Sequence, residues 1–395
     1  MTLQDRHRPL TRPAYGRRPE CWVPLGAGTN PDAFGLRVGS VPLETGGLLP
    51  DVVVAVQTWG TLAPDGSNAV LVEHALTGDT HVVGPPGPGQ PTAGWWPGLV
   101  GPGAAIDTDR WFVVATNVLG GCRGTTGPAT EAADGQPWGS RFPEVTIRDQ
   151  VRVEALVADL LGIPAWALVI GGSMGGMRAA EWVATYPDRA RAAAVVAACG
   201  AATADQIAWG QAQTLAIEQD PDWRGGDYHR SGVSPDHGLG LARRIAHTTY
   251  RSAPELEERF GRSPQPGEDP MRGGRFAVES YLDHHARKLS ARFDAGSYVT
   301  LTRAMATHDI GRGRGGIAKV LRRYTGDLVV AGVDSDRLFP LELSQQLAAA
   351  HGRRPAAVIE SAHGHDGFLV EVDQVADLVS GQLARLASRH HRRVG

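Results

Sequence analysis

A serine between glycines is the first feature of the chain that could do chemistry. Residues 171–175 read Gly-Gly-Ser-Met-Gly, the arrangement G-x-S-x-G, with an apolar run before it and an Ala-rich helical pattern after it. That strand–turn–helix context strains the serine backbone, raises its hydroxyl above a sheet and directs helix N-terminal amides toward the same point. The pattern therefore predicts that Ser173 is a nucleophile. The structural alternative for the same residues is a glycine-rich helix cap.

An acid and a base follow the serine in the order that this chemistry needs. A serine hydroxyl requires a base to take its proton, and the base requires a carboxylate to orient it. One predicted strand downstream of Ser173 ends before Asp334 and Asp336, and the next ends before His363 and His365. We predict Asp336 as the acid, because it lies deeper in its turn, and His365 as the base, because it lies in a tight Gly-His-Asp-Gly turn. The alternatives are Asp334 as the acid and His363 as the base.

Two backbone amides are predicted to complete the site. The oxyanion of acyl transfer needs two preorganised N–H donors, usually the residue after the nucleophile and a residue in an earlier loop at a strand end. Met174 follows the serine, and Leu76 lies in the polar loop after the predicted strand 69–74. We therefore predict Leu76 and Met174 as the oxyanion hole.

The elements that would position these residues alternate between strand and helix. Buried-strand patterns recur between helical patterns, which predicts a mostly parallel sheet covered on both faces. Residues 34–59 instead predict antiparallel strands joined by a turn at 45–47. Further strands are predicted at 69–74, 111–117, 165–170, 192–198, 327–333 and 356–360, and core helices at 147–161, 341–350 and 375–386. The Gly/Pro-rich segment 83–103 contains two tryptophans, so we expect it to pack over another part of the fold, often the mouth of a site.

The strand pattern stops near residue 203 and helical patterns replace it. This predicts an α/β core made of residues 25–203 and 311–390, interrupted by a helical lid at 204–310. The lid helices are predicted at 204–219, 238–250, 276–293 and 297–307. The Arg- and Pro-rich residues 1–24 predict a loose arm, and the His/Arg-rich residues 389–393 a frayed tail.

Composition excludes several classes of function. The chain has 395 residues and a formal net charge of -3, which argues against a nucleic-acid-binding surface. No apolar run reaches the roughly 18 residues of a membrane helix, and the polar first 20 residues do not resemble a secretory signal. Three widely spaced cysteines predict neither disulfides nor a metal site, so we expect a cytoplasmic protein.

Around the predicted triad, the sequence resembles the homoserine O-acetyltransferase family, particularly its actinobacterial members. The likeness runs from about residue 38 to 383, and its matching stretches are 74–81, 117–128, 138–143, 171–176, 309–316, 335–340 and 364–369. The resemblance implies an α/β-hydrolase fold with an inserted helical lid. It also implies ping-pong transfer of an acetyl group from acetyl-CoA to the hydroxyl of L-homoserine, an early step toward methionine. Acetyl-CoA would be a co-substrate, and no permanently bound cofactor is expected.

The resemblance also assigns residues that would grip homoserine at its two charged ends. Arg243 would bind the carboxylate, since the guanidinium fork is planar and bidentate, with Tyr250 seven residues further on. Asp366, beside the predicted base, would hold the ammonium group. The neighbouring Arg244 is an alternative for Arg243. A lid salt bridge is the structural alternative for either arginine, and a turn cap is the alternative for Asp366.

Other assignments stay open on the sequence alone. The glycine–arginine run 311–316 could be a hinge between lid and core, could bring arginines to the phosphates of CoA, or both. Cys122 could contact substrate or only pack. The resemblance implies a homodimer formed through the lids.

Three rival functions remain. The first is the same transfer with succinyl-CoA or serine, the second is a serine hydrolase, and the third is a non-catalytic binding protein on the same scaffold. A hydrolase would leave the Arg243–Asp366 clamp without a purpose. A non-catalytic scaffold would have no reason to keep Ser173, Asp336 and His365.

Overall fold

The computed structural model describes residues 21–26 and 29–394, the last six of these by their backbone alone. Most of the predicted N-terminal arm therefore lies outside the described residues. The strands are β1 (Trp22–Val23), β2 (Phe34–Pro42), β3 (Leu48–Trp59), β4 (Ala69–Glu73), β5 (Val100–Gly101), β6 (Ile106–Asp107), β7 (Phe112–Thr116), β8 (Leu168–Gly172), β9 (Ala192–Val196), β10 (Asp327–Val333) and β11 (Ala357–Ile359).

Nine of these strands form one sheet, in the order β1-β2-β3-β7-β4-β8-β9-β10-β11. Six neighbouring strands of this sheet pair in parallel, namely β7, β4, β8, β9, β10 and β11. The strands β1, β2 and β3 add an antiparallel edge. The predicted mostly parallel sheet and the antiparallel start of the chain are both confirmed. The strands β4, β7, β8 and β9 are buried along their whole length, which explains their nearly continuous apolar sequence.

Helices cover both faces of the sheet. They are α1 (Ile147–Leu160), α2 (Met174–Thr185), α3 (Ala204–Glu218), α4 (Asp236–Tyr250), α5 (Ala253–Phe260), α6 (Ala277–Ser290), α7 (Ala295–Ala306), α8 (Ile317–Arg323), α9 (Leu341–His351), α10 (Gly367–Val370) and α11 (Val372–Val394). Leu71 contributes to the apolar cluster that contains residues of α1, α2, α8 and α9. Its neighbours Val70 and Val72 contribute to the cluster beneath α11, as the alternation of a strand requires. Within the described residues, no helix is long and apolar enough to cross a membrane.

The five helices α3–α7 lie between β9 and α8, and residues 204–316, all of them described, contain no strand. Thr203 begins α3 with a capping box, since its hydroxyl accepts from the Gln206 amide and the Gln206 side chain accepts from the Thr203 amide. The sequence patterns anticipated α3, α4, α6 and α7. They missed α5, which is only eight residues long.

Two further predictions concern the C-terminal helix and the segment 83–103. The helix α11 continues to Val394, so the expectation of a frayed tail at 389–393 is wrong for the backbone. The helix persists past its last apolar residues because its first turns are anchored in the core by Val375 and Val379. The segment 83–103 packs beneath the histidine turn, where the Trp96 indole donates to the Phe368 carbonyl at 3.2 Å. The segment therefore packs against another part of the fold, as expected.

The return from lid to core is fixed by ion pairs. Arg312 binds the Glu44 carboxylate at 2.9 Å, and Arg314 binds Glu181 at 2.7 Å. Arg148 bridges the same two carboxylates. Both arginines of the 311–316 run are thus engaged with carboxylates of the core.

Candidate active site

The serine turn joins β8 to α2 and has the strained geometry that the sequence predicts. Ser173 has φ 59° and ψ -123°, a conformation that non-glycine residues rarely adopt. A Cβ on Gly171 would lie 2.4 Å from the Gly175 carbonyl carbon, and a Cβ on Gly175 would lie 2.1 Å from the backbone oxygen of Glu73. The flanking glycines are therefore required, because the turn packs backbone against backbone.

His365 and Asp336 form a buried hydrogen-bonded pair. The two residues follow neighbouring strands, β11 and β10, and His365 Nδ1 lies 2.6 Å from Asp336 Oδ2. The other oxygen, Oδ1, accepts from the amides of Leu338 and Phe339, both at 2.8 Å. This arrangement fixes the carboxylate, which in turn makes Nδ1 the protonated nitrogen of the neutral ring.

The pKa of His365 is set by two opposing effects. Burial of the ring disfavours the imidazolium, but the adjacent Asp336 carboxylate outweighs burial and raises the pKa of His365 above its usual value. A ring with these properties can take a proton during reaction and hold it until a leaving group needs it.

The second nitrogen of His365 is the one available for proton transfer. Nε2 is buried and has no hydrogen-bond partner among the described residues, so its bond to the serine hydroxyl is not formed in this structure. The His365 ring stacks on the Phe339 ring with 5.1 Å between the ring centroids, and its centroid lies 5.9 Å from that of the Tyr250 ring. Both aromatic residues line the same cavity as Ser173. Catalytic hydrogen bonds of this kind commonly tighten when substrate binds.

The alternative acid and base lie apart from this pair. Asp334 is exposed, and its carboxylate accepts from the Ser361 amide at 3.0 Å. His363 lies 3.5 Å from the Glu255 carboxylate. The structure therefore brings together Asp336 and His365 and gives Asp334 and His363 separate local partners.

The predicted oxyanion donors flank the serine. Met174 is the first residue of α2, so its amide has no acceptor within the helix. Leu76 lines the cavity that contains Ser173, and no hydrogen bond of its amide occurs within the described part of the chain. Two amides without acceptors beside a strained serine are what an oxyanion hole requires.

Arg243 and Arg244, adjacent in α4, have different surroundings. Arg244 forms an ion pair with Asp283 at 2.7 Å, the lid salt bridge that the sequence left as an alternative. The guanidinium carbon Cζ of Arg243 instead lies over the Tyr250 ring, 5.3 Å from its centroid. Its Nε and Nη1 are buried and have no hydrogen-bond partner among the described residues. Buried guanidinium N–H groups without acceptors are costly unless a ligand supplies the acceptor.

Asp366 has a partner that sequence reasoning missed. Its Oδ2 lies 3.3 Å from Arg251 Nη2, and Arg251 also binds Glu255 at 3.2 Å. Burial raises the pKa of Asp366, although Arg251, His365 and Arg243 oppose that effect. The sequence signal that could have indicated this ion pair was the position of Arg251 directly after Tyr250. The predicted ammonium-binding residue is thus held at the edge of an arginine cluster.

A cavity lined by Ser173 lies between the core and the lid helices α3 and α7. Its walls are largely apolar, with a few polar side chains from the lid. Its lining comprises Leu76, Ser173, Met177, Ala202, Gln206, Trp209, Gly210, Gln213, Tyr250, Thr302, Met305, Ala306, Leu338 and Phe339.

Cys122 is not among the residues that line this cavity. Its sulfur accepts from the Asp294 amide at 3.4 Å, and burial raises the pKa of the thiol to about 12. A thiol with so high a pKa is neutral, which is consistent with the packing alternative for Cys122.

The chain is similar to known proteins over most of its length. A family profile described as alpha/beta hydrolase fold matches residues 68–372. A homoserine O-acetyltransferase of Thermobifida fusca is 63% identical over 347 residues, which are 87% of this chain and 92% of that protein. A homoserine O-acetyltransferase of Mycolicibacterium smegmatis is 55% identical over 355 residues, 90% of this chain and 93% of that protein.

Solved structures show the same fold with two kinds of activity in their names. A homoserine O-acetyltransferase from Bacillus anthracis has a TM-score of 0.80 and 26% identity, and covers 88% of this chain and 96% of its own. The esterase E22 has a TM-score of 0.80 and 25% identity, and covers 88% of this chain and 98% of its own. Fold similarity alone therefore does not separate transfer from hydrolysis.

Proposed function

The chain belongs to the homoserine O-acetyltransferase family, and we propose that it moves an acetyl group from acetyl-CoA to the hydroxyl of L-homoserine by a ping-pong mechanism. The observation that carries this proposal is the buried guanidinium of Arg243, which lies over Tyr250 and whose Nε and Nη1 have no partner among the described residues. A carboxylate on the acceptor would satisfy those donors. The product, O-acetyl-L-homoserine, would serve methionine biosynthesis in the cytoplasm.

In the first half-reaction the hydroxyl of Ser173 attacks the thioester carbonyl of acetyl-CoA. His365 Nε2 takes the hydroxyl proton, and Asp336 stabilises the resulting imidazolium through Nδ1. The amides of Leu76 and Met174 would stabilise the oxyanion of the tetrahedral intermediate. Collapse breaks the carbon–sulfur bond, and His365 returns the proton to the departing thiolate. Acetyl-Ser173 remains.

In the second half-reaction homoserine takes the place of CoA. Its hydroxyl gives a proton to His365 Nε2 and attacks the acetyl carbonyl, and the same two amides stabilise the oxyanion. The ester bond to Ser173 breaks, and His365 returns the proton to the serine oxygen. Arg243 and Asp366 would hold the carboxylate and ammonium groups, so that the homoserine hydroxyl competes with water for the acetyl group.

The first prediction concerns the acceptor site. Arg243→Met should lower kcat/KM for homoserine by about 30-fold or more, since removing one partner of a buried charged pair costs about 2–5 kcal/mol. Acetylation of Ser173 by acetyl-CoA should not change. The matched control is Arg244→Met, which removes the ion pair with Asp283 but should change kcat/KM for homoserine by less than about threefold. Equal losses in both variants would contradict the assignment.

The cavity offers a path for the pantetheine arm of acetyl-CoA. Thr302 of α7 lines it, and its buried hydroxyl has no partner among the described residues. Gln213 of α3 lies in the same wall, where its oxygen accepts from the Tyr298 hydroxyl at 2.5 Å and its amide nitrogen is left for a ligand. An apolar passage with a hydroxyl and an amide suits an arm that carries two amide groups.

The second prediction tests this donor path. Thr302→Val should raise KM for acetyl-CoA about threefold to tenfold, the value of one hydrogen bond, and leave kcat with p-nitrophenyl acetate, a donor without pantetheine, unchanged. Ser297→Ala is the matched control. Ser297 lies on the same helix and its buried hydroxyl also has no partner within the described part of the chain, but it does not line the cavity. An unchanged KM for acetyl-CoA in Thr302→Val, or an equal change in Thr302→Val and Ser297→Ala, would contradict the proposed path.

The hydrolase alternative is separated by one assay. Thiol release from acetyl-CoA and from succinyl-CoA is measured with homoserine, with serine and without an acceptor. Strong release with homoserine alone supports the proposal. Release that is equally fast without an acceptor would favour an esterase, and preference for succinyl-CoA or serine would keep the triad and change the specificity.

We also propose that two chains pair through their lids. Ile207 and Leu215 are 42% and 44% exposed on one face of α3, and Leu241 is 48% exposed on the adjacent α4. A second copy of this apolar face would cover them.

The third prediction follows from that apolar face. Leu215→Glu should convert a dimer to a monomer in light scattering, while Met271→Glu, a change at another exposed lid residue, should not. A monomeric wild-type protein would refute the pairing.

A further inference from the structure

A chain of buried polar contacts, unused in the mechanism above, anchors the loop that carries Leu76. Arg178 of α2 is fully buried, five residues after the serine. Its Nη1 donates to Glu154 of α1 at 2.6 Å, and its Nη2 donates to the backbone oxygen of His74 at 2.7 Å. The guanidinium thus ties the nucleophile helix to the first residue of the loop.

The side chain of His74 continues this chain of contacts. Its Nδ1 lies 2.7 Å from the Ala75 carbonyl, which can only accept, so Nδ1 carries the proton. Its Nε2 lies 3.1 Å from the Val118 amide, which can only donate, so Nε2 accepts. The ring is therefore neutral, and burial together with Arg178 lowers the pKa of His74 to about 3.

The contact with the Ala75 oxygen determines where the next amide points. The Ala75 carbonyl and the Leu76 N–H belong to one planar trans peptide, and so point in opposite directions. The Gly78 amide also donates to the Ala75 oxygen, at 2.9 Å. Two donors that hold the oxygen on one side therefore fix the Leu76 N–H on the other side.

The far end of the loop is held from the lid. Arg292, between α6 and α7, donates from Nη1 to the Thr77 oxygen at 2.9 Å. The loop is thus held at residues 74, 75 and 77, on both sides of the predicted oxyanion donor.

The charges of this cluster are balanced. Glu154 accepts from Arg178 and from the Trp182 indole, at 2.8 Å for the latter. Burial and the neighbouring Glu154 raise the pKa of Glu73 well above its usual value, so Glu73 is neutral and the positive Arg178 faces one carboxylate. A balanced, hydrogen-bonded pair offsets much of the cost of burial.

We propose that Arg178 and His74 are positioning residues of the oxyanion hole, which orient the Leu76 amide toward the acetyl carbonyl held at Ser173. This inference rests on the proposed acyl transfer. Loss of either contact should affect the transition state more than substrate binding, because an oxyanion donor acts on charge that develops only during reaction.

The main test compares two arginines that each bridge two acceptors. Arg178→Lys keeps a positive charge beside Glu154 but cannot span both Glu154 and His74. We expect kcat to fall about 10- to 100-fold, less than loss of a whole oxyanion donor, with KM for acetyl-CoA and homoserine within about threefold. Arg148→Lys is the control, since Arg148 bridges Glu44 and Glu181 without touching the loop. It should lose stability and retain kcat. Equal kcat in the two variants would overturn the proposal.

A second pair of variants gives a readout that simple destabilisation would not. His74→Asn keeps an N–H near the position of Nδ1, whereas His74→Leu has no donor. We expect His74→Asn to retain at least about tenfold more kcat than His74→Leu, since a misplaced oxyanion donor is costly. Equal activity of the two would contradict the role of His74. Acetylation of wild-type Ser173 by acetyl-CoA, measured in parallel, tests the proposed function separately.

Discussion

Ser173→Ala should abolish acetyl transfer, with kcat lowered by at least about 10⁴-fold, as expected for the nucleophile of a triad. No acetyl-enzyme should form, because the acyl-accepting oxygen is missing. Acetyl-CoA should still bind, since the cavity walls are unchanged. The measurement is thiol release from acetyl-CoA with saturating homoserine, together with the midpoint of thermal unfolding.

The control for this variant is Ser344→Ala. Ser344 is a buried serine in α9 that donates to the Ala331 carbonyl at 3.2 Å and does not line the cavity. It should lose about 1 kcal/mol of stability, as for one buried hydrogen bond, and keep its kcat. Residual transfer above about one hundredth of wild type in Ser173→Ala would exclude a mechanism through this hydroxyl, because loss of the nucleophile costs far more.

Asp336→Asn should lower kcat by about 10⁴-fold while the fold is retained. The Asp336 Oδ1 position accepts from two backbone amides, so an asparagine will place its oxygen there and its NH₂ toward His365. That NH₂ cannot accept the Nδ1 proton, and the ring is driven into the tautomer whose Nε2 cannot act as a base. Asp334→Asn is the matched control and should retain activity, because the Asp334 carboxylate accepts from the Ser361 amide and, within the described residues, forms no hydrogen bond with His365. Similar losses in the two variants would contradict the assignment of the acid.

The pH dependence of acetylation checks the same pair. His365 must be neutral to accept a proton, and its pKa is raised above 6.5 in the folded protein. Activity should therefore fall as the pH drops through that raised value. In Asp336→Asn the carboxylate is gone and burial remains, so the acid limb of the residual activity should move to lower pH. An acid limb at the same pH in both proteins would argue against Asp336 as the cause.

Local signals made the core predictable. The short apolar strands, the glycines around Ser173, and the acid and histidine placed after consecutive strands are each specified within a few residues. Parallel pairing then brings the carboxyl ends of β8, β10 and β11 to one edge, where Ser173, Asp336 and His365 follow them. Strand order and loop chemistry were sufficient for this part of the site.

Long-range pairing could not be predicted in the same way. Arg178 contacts the carbonyl of a residue 104 positions away, and no local pattern distinguishes it from a surface arginine of a helix. The difference between Arg243 and Arg244 likewise depends on Asp283, which lies in another lid helix. The helix α5 escaped prediction because its eight residues are fewer than the roughly 11–18 over which a helical period is recognised.

Detection of the covalent acetyl-Ser173 intermediate is the most direct test of the proposed ping-pong transfer. The protein is incubated with acetyl-CoA in the absence of homoserine, digested, and mapped by mass spectrometry. We expect one acetyl group on the peptide that contains Ser173, and its loss with formation of O-acetyl-L-homoserine when homoserine is added. Absence of acetyl-Ser173, with CoA released only when both substrates are present, would contradict the proposed ping-pong transfer.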